Sequence, residues 1–318
     1  MQTIVILGAA GRVGDAAARA FVEAGWKVKG LARNAKATQL APGVEVVQAD
    51  ATDRTALVAA CAGADVVLHA LNPKYTEWEE KVMPLAENAI AAAEAAGATL
   101  MLPGNVYNFG YAIGMDTAED APQVASTSKA RLRIELEDML RERAEQTGLQ
   151  SIVLRAGDFY GGTKPEGWVD QLILAKLRKN IFTWGGPMET AHSFAYLPDL
   201  GRSFVALAEK RGALGRFERF HFAGHTMTGH DMKAAAEAAT GRILATRGTP
   251  WLLFRAAGLF SPMMRELSVM SYLWRTPHSL DGSRLVHAIG PQRSTDPVTA
   301  LRQAIADLSL DEDYAVAA

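Results

Sequence analysis

The chain has 318 residues, 49% hydrophobic and 21% charged, with a formal net charge of -2 at pH 7. That length supports one large α/β domain with a smaller lobe and needs no disulfide or metal staple. The near-neutral balance gives no reason to expect nucleic acid or an anionic membrane as a partner. A single cysteine, Cys61, excludes an internal disulfide and points to a reducing, cytoplasmic setting; in the apolar run 56–62 it reads as a small buried hydrophobe.

The spacing predicts a strand over Thr3–Leu7, close enough to Met1 that no signal or transit peptide is expected. A helix over Arg12–Ala24 follows, with Val13, Ala17, Ala20, Phe21 and Ala24 on one face, stopped by Gly25. Further strands are read at Lys27–Leu31 and Val44–Gln48, a short helix at Asp53–Ala62 and a strand at Asp65–Ala70. An alanine-rich helix over Glu77–Ala96 precedes a strand at Ala98–Leu102, and a helix over Ser126–Gln146 precedes a strand at Ser151–Arg155. After Gly157 the rhythm loosens into glycines, prolines and tryptophans, the composition of a lobe laid over the carboxyl edge of a sheet. A helix over Pro198–Arg211 and a strand over Phe217–Ala223 resume the pattern. Pro250–Leu273, broken by Pro262, carries Arg255, Arg265 and Glu266 and reads as amphipathic helices, not a membrane span.

Strands alternating with helices imply α/β architecture of the Rossmann type, a doubly wound parallel sheet with a smaller C-terminal substrate lobe. The expected division is a dinucleotide-binding domain over 1–157 and a lobe over 158–318, the two interleaved through 194–225. Gly8-Ala9-Ala10-Gly11-Arg12-Val13-Gly14 joins the first strand to the first helix. Its three glycines allow a tight turn, close approach of backbone to a pyrophosphate, and close helix–strand packing, while the helix N-terminus offers bare amides to phosphate. An acid at the end of the second strand would select NAD; there the chain reads Ala32-Arg33, and Arg12 in the turn adds a second cation. NADP is therefore expected over NAD. Asp50-Ala51, past the third strand, could meet the adenine amino group, or Asp50, Thr52 or Asp53 could cap the short helix.

These residues resemble the extended or atypical branch of the short-chain dehydrogenase/reductase superfamily, which includes epimerase/dehydratase and NmrA-like relatives. The resemblance runs over nearly the whole chain. It rests on the turn 8–14 and on Leu68-His69-Ala70-Leu71-Asn72, similar to the fourth strand whose end lies along the cofactor. It rests further on Asn105-Val106-Tyr107, Ser128-Lys129-Ala130, the run from Val153 to Gly161, the run from Phe194 to Asp199, and Asp281 to Arg284 with Ile289-Gly290. It implies that Ala70, Leu71, Asn72, Asn105 and Lys129 lie along the cofactor. The superfamily's reaction uses a Tyr-x-x-x-Lys pair one helical turn apart and a serine after the fifth strand. Lys129 fits the lysine, but Ala125 stands for the tyrosine and Pro103 for the serine. A substitute acid is then needed: Tyr107 first, Asp158 second, Tyr75 and His192 more weakly. Lys129 could equally clamp the ribose without catalysis, and Tyr107 could be a pocket wall.

His221, His225 and His230 share no helical face and lack paired cysteines, so no metal site is expected. Arg131, Arg133, Glu135 and Glu137 read as a charged, solvated helix face. The segment from Trp251 to Trp274 reads as core or interface, or as an apolar lid over the substrate. The sequence thus points to an NADP-dependent oxidoreductase acting on a small or medium carbonyl or alcohol. Its rivals are an epimerase or dehydratase that retains its cofactor and a non-catalytic NADP(H) sensor. The long helices before the fifth and sixth strands could pair across a two-fold axis in a homodimer.

Overall fold

The computed structural model describes residues 1–32 and 39–310. In chain order they form β1 (Thr3–Leu7), α1 (Arg12–Glu23), β2 (Lys27–Ala32), β3 (Glu45–Gln48), α2 (Arg54–Ala60), β4 (Val66–His69), α3 (Trp78–Ala96), β5 (Thr99–Asn105), α4 (Ser128–Gln146) and β6 (Ser151–Ala156). The chain continues through β7 (Asp158–Tyr160), β8 (Ile181–Trp184), β9 (His192–Tyr196), α5 (Leu197–Lys210), β10 (Phe217–Phe222), β11 (His225–Met227) and α6 (Gly229–Thr240). It ends with β12 (Ala245–Gly248), α7 (Trp251–Ala257), α8 (Pro262–Val269), α9 (Ser283–Ile289) and α10 (Pro297–Asp307).

Seven strands pair in the order β10-β6-β5-β4-β1-β2-β3, all parallel. The order reverses between β1 and β4, so the crevice at their carboxyl ends is the topological switch point where such sheets take ligands. Both faces are buried. In β1 Ile4 and Ile6 join the layer of α1 and α5, while Val5 and Leu7 join that of α2, α3 and α4. A third core holds the lobe together around Phe182, Trp184, Phe194 and Trp274, beneath the three-stranded sheet β11-β9-β7 and the pair β12-β8. Cys61 lies at 0% exposure in the first core, and burial pushes its thiol up to about 11, in keeping with a packing role.

The parallel sheet and its flanking helices follow the sequence pattern, with three informative differences. β5 runs through Pro103 to Asn105, because β4 pairs only as far as Met101 and the missing proline N–H falls where one side of β5 is free. α4 starts at Ser128, not Ser126, since the Thr127 hydroxyl caps it by accepting from the Ala130 amide at 3.1 Å. The solvated face expected of α4 is only partly one. Arg131 and Glu135 pair at the surface, but Glu137 is buried and takes the Arg155 guanidinium at 2.5 and 3.0 Å. Arg133 also points inward, donating to the Pro103 carbonyl at 3.3 Å with its guanidinium over Trp78. Among the described residues no helix is long and apolar enough to cross a membrane.

Candidate functional site

The turn after β1 is shaped for a phosphate group. Gly8 has φ +87°, and a Cβ on it would stand 2.7 Å from the Ala70 carbonyl oxygen; a Cβ on Gly14 would stand 2.2 Å from that of Gly8. Both glycines therefore let β1, β4 and α1 close on one another. At Gly11, the N-cap of α1, a Cβ would meet only the Gly8 oxygen, at 3.2 Å, so its outer side is open to an approaching ligand. Gly11 supplies no side-chain cap, and Ala10, Gly11 and Val13 stay half-buried at the helix mouth. These features fit a dinucleotide pyrophosphate. Gly11→Ala is expected to cost the fold only about 1 kcal/mol yet weaken NADPH binding at least about tenfold, whereas Gly14→Ala should destabilise the fold by roughly 1–3 kcal/mol or more. Melting curves and fluorescence titration separate the two effects.

Arg12 does not serve as expected. Its guanidinium is buried and donates to both carboxylate oxygens of Asp170 at 2.7 Å and to the Gly161 carbonyl at 3.2 Å. With four of its five donors turned into the lobe, it ties the turn to the segment after β7 and not to a second phosphate. The Arg12 amide donates to the Glu166 carboxylate at 3.3 Å, so an acid stands on the anion-binding face of the helix mouth. Arg33 lies outside the described residues. Ala32, which closes β2, is buried.

The Asp50 carboxylate accepts from the Thr52 amide and hydroxyl at 2.9 and 2.8 Å, and Asp53 caps α2 by accepting from the Ala56 amide at 3.0 Å. The carbonyl of buried Ala51 accepts from Asn88 at 3.0 Å. The capping reading is thus met, by Asp53. Past β4, Leu71 and Asn72 line a small cavity with His69, Leu102 and Arg133. Burial and the Arg133 charge hold the His69 imidazole down to about 4, hence neutral.

Lys129, in the first turn of α4, is buried with its Nζ 4.8 Å from the Tyr75 ring centroid, and it forms an ion pair with Glu266 of α8. Ala125, four residues earlier, precedes the helix, so these two positions do not share a helical turn. The Tyr75 and Tyr107 hydroxyls share a hydrogen bond at 2.8 Å. Asn105 holds the backbone of Tyr107 by accepting from its amide at 3.0 Å. Burial pushes the Tyr75 phenol up to about 12 and holds that of Tyr107 well above its ordinary value.

Asp158 opens β7 and pairs with His192 of β9, Oδ2 to Nε2, at 2.8 Å. The carboxylate side chain is 11% exposed and the imidazole only 2%, so Asp158 is the outward end of the pair. Its charge also reaches Tyr75, Tyr107 and Tyr272, raising all three phenols. His192 stacks on Trp274, centroids 4.4 Å apart and planes 19° from parallel. Lys129, the tyrosine pair and the Asp158–His192 pair thus gather at the carboxyl end of the sheet, closed on one side by α8, which packs on the turn Tyr75–Glu77. That arrangement can donate hydrogen bonds to a substrate oxygen and pass a proton between carboxylate and ring nitrogen.

Glu166 and Glu266 were not found by sequence reasoning. Each meets its partner across 154 and 137 residues of chain, and no local spacing links them. The three histidines of the 221–230 stretch part company: His221 contacts the Thr117 carbonyl at 2.9 Å, His225 the Tyr160 hydroxyl at 2.6 Å, and exposed His230 faces Glu189 at 3.4 Å. Among the described residues no group of His, Cys, Asp and Glu is placed to hold a metal ion.

Residues 8–164 match a family model described as NAD(P)H-binding. No curated protein matches the sequence. Among solved structures, UDP-glucose 4-epimerase from Brucella ovis in complex with NAD is 16% identical, with TM-score 0.77 over 96% of this chain and 98% of that one. UDP-glucose 4-epimerase from Thermotoga maritima with UDP-glucose is 14% identical, with TM-score 0.77 over 96% and 98%. UDP-glucuronic acid 4-epimerase from Bacillus cereus, in complex with UDP-glucuronic acid and NAD, is 15% identical, with TM-score 0.76 over 97% and 99%. At these identities the likeness is one of fold.

Proposed function

We propose that this chain, which carries an NAD(P)H-binding domain in the fold of the extended short-chain dehydrogenases/reductases, is an oxidoreductase acting on a small or medium carbonyl or alcohol. The observation that carries this reading is the meeting of Lys129, the Tyr75–Tyr107 pair and the Asp158–His192 pair at the carboxyl edge of the sheet. A bound nicotinamide would supply or accept the hydride. The glycine turn would hold the pyrophosphate and Lys129 the nicotinamide ribose, once Glu166 and Glu266 give way. Neutral Tyr107 and Tyr75 would orient and polarise the substrate oxygen as donors, and Asp158 would give or take its proton with His192 as the positioning residue behind it. NADP is preferred in this reading, because Ala32 closes β2 and offers no carboxylate to a ribose 2′-hydroxyl.

Titration with NADPH and NADH tests the cofactor, and NADPH oxidation across aldehydes, ketones and quinones tests the reaction. The expected result is exchangeable binding that favours NADPH, with turnover of at least one carbonyl class. Lys129→Ala should weaken binding by about tenfold or more through loss of a charged hydrogen bond. Binding of NADPH with no turnover would make the chain a sensor. A second reading, an epimerase that keeps its cofactor, is favoured by the shared shape with NAD-bound epimerases over nearly their full length. It predicts nucleotide that stays with the protein through purification and is released only on denaturation.

A further inference from the structure

α7 and α8 form a hairpin with an apolar tip, where Leu259 is 80% and Phe260 92% exposed, and with Leu252 at 78% and Leu253 at 67% in the first turn of α7; none of the four belongs to a core. Single exposed leucines are ordinary, but four large side chains within nine residues make a patch that needs a partner. Trp251 at the hairpin base is buried against Trp168 and Phe254, so the patch stands on an anchored element.

Along this stretch of sequence the charge is one-sided, although Glu77 stands in the turn on which α8 packs. Between Arg242 and Arg275 the chain carries Arg242, Arg247, Arg255, Arg265 and Arg275 against one acid, Glu266. Arg247, Arg255, Arg265 and Arg275 are exposed, while Glu266 turns inward to Lys129. Arg255 and Arg265 flank the tip itself. A Cβ on Gly258 would lie 3.2 Å from the Arg255 carbonyl oxygen and 3.0 Å from the Arg265 Cα. The chain's overall charge of -2 conceals this local excess.

We propose that the α7–α8 hairpin docks the protein on an anionic phospholipid bilayer. Leu259 and Phe260 enter the acyl boundary, Leu252 and Leu253 lie along it, and Arg255 and Arg265 meet the headgroup phosphates. Exposed apolar side chains beside unopposed arginines are the pairing that holds an interfacial helix on such a surface. A second copy of the chain would bring arginine against arginine at the same tip. The proposal is independent of the cofactor, and it gives the lobe an orientation in which α8, which covers Lys129, lies at the bilayer.

Flotation of the full chain with vesicles tests it, using phosphatidylcholine alone and phosphatidylcholine with phosphatidylglycerol. The expected result is binding to the anionic vesicles, weakened by salt. Each arginine contributes about fivefold to the partition coefficient, so Arg255→Glu with Arg265→Glu should lower it at least about 25-fold. Leu259→Ser with Phe260→Ser should lower it at least about tenfold on anionic vesicles, and since all four residues are exposed the melting temperature serves as control. Absence of binding to either vesicle, or variants that bind like the parent, overturns the proposal. If sedimentation shows a dimer that Leu259→Ser with Phe260→Ser dissociates while vesicles do not bind, a second copy covers the tip and the proposal fails.

Discussion

Arg12→Ala is expected to destabilise the protein by about 3–5 kcal/mol, because it leaves a buried carboxylate without its partner. The Arg12 and Asp170 side chains are 5% and 2% exposed, so water cannot replace the lost guanidinium. Asp170 would keep only the Gly167 amide, at 2.9 Å, and the Gly161 carbonyl would lose two donors. Arg12→Lys should recover only part of the loss, since an ammonium cannot reproduce two parallel bonds to the carboxylate together with two more to a carbonyl. Urea denaturation measures the stability, and NADPH and NADH titrations on the same variants decide the role. A structural tie predicts an unchanged preference between the two nucleotides. Loss of NADPH preference with unchanged stability would make Arg12 a phosphate ligand after all.

Arg12 also marks where the sequence stops being legible. The strand-turn-helix register around it is local: a continuous apolar run in β1, a glycine triplet, then a 3.6-residue period in α1. Such signals place the sheet, the turn and the crevice. The partner of Arg12 lies 158 residues away in a turn that depends on how the lobe folds, and no local pattern records it. Glu137 shows the same limit. On α4 its spacing from Arg131 and Arg133 suggests a solvated stripe, yet it faces Arg155 on β6, which only the register of the assembled sheet reveals. The missing tyrosine at Ala125 and serine at Pro103 were legible because they are departures from a resembled pattern. What stands in their place was legible only as residue types, Tyr107, Asp158, Tyr75 and His192, whose grouping is tertiary.

For that group the decisive experiment is Asp158→Asn, which is expected to lower kcat about 10²–10⁴-fold while leaving cofactor affinity near that of the parent. Asparagine keeps the size of the side chain and can still meet His192, so the change removes proton transfer with little change in packing. Tyr107→Phe separates the donor from the acid. Burial keeps both phenols neutral across the working range, with Tyr75 at about 12 and Tyr107 above its ordinary value, so neither can act as a base near neutrality. Losing one neutral hydrogen bond should then cost only about tenfold in kcat, with no new alkaline limb in the rate profile. His192→Gln, which can still donate to Asp158, should fall between these two in kcat, with KM and cofactor affinity near those of the parent. That split distinguishes positioning of the carboxylate from support of the fold, because a purely structural His192 would lower the melting temperature and leave kcat of the folded protein alone. Full kcat in Asp158→Asn would remove the carboxylate from the chemistry and leave the tyrosine pair, Lys129 and His192 as the protic groups described at this edge.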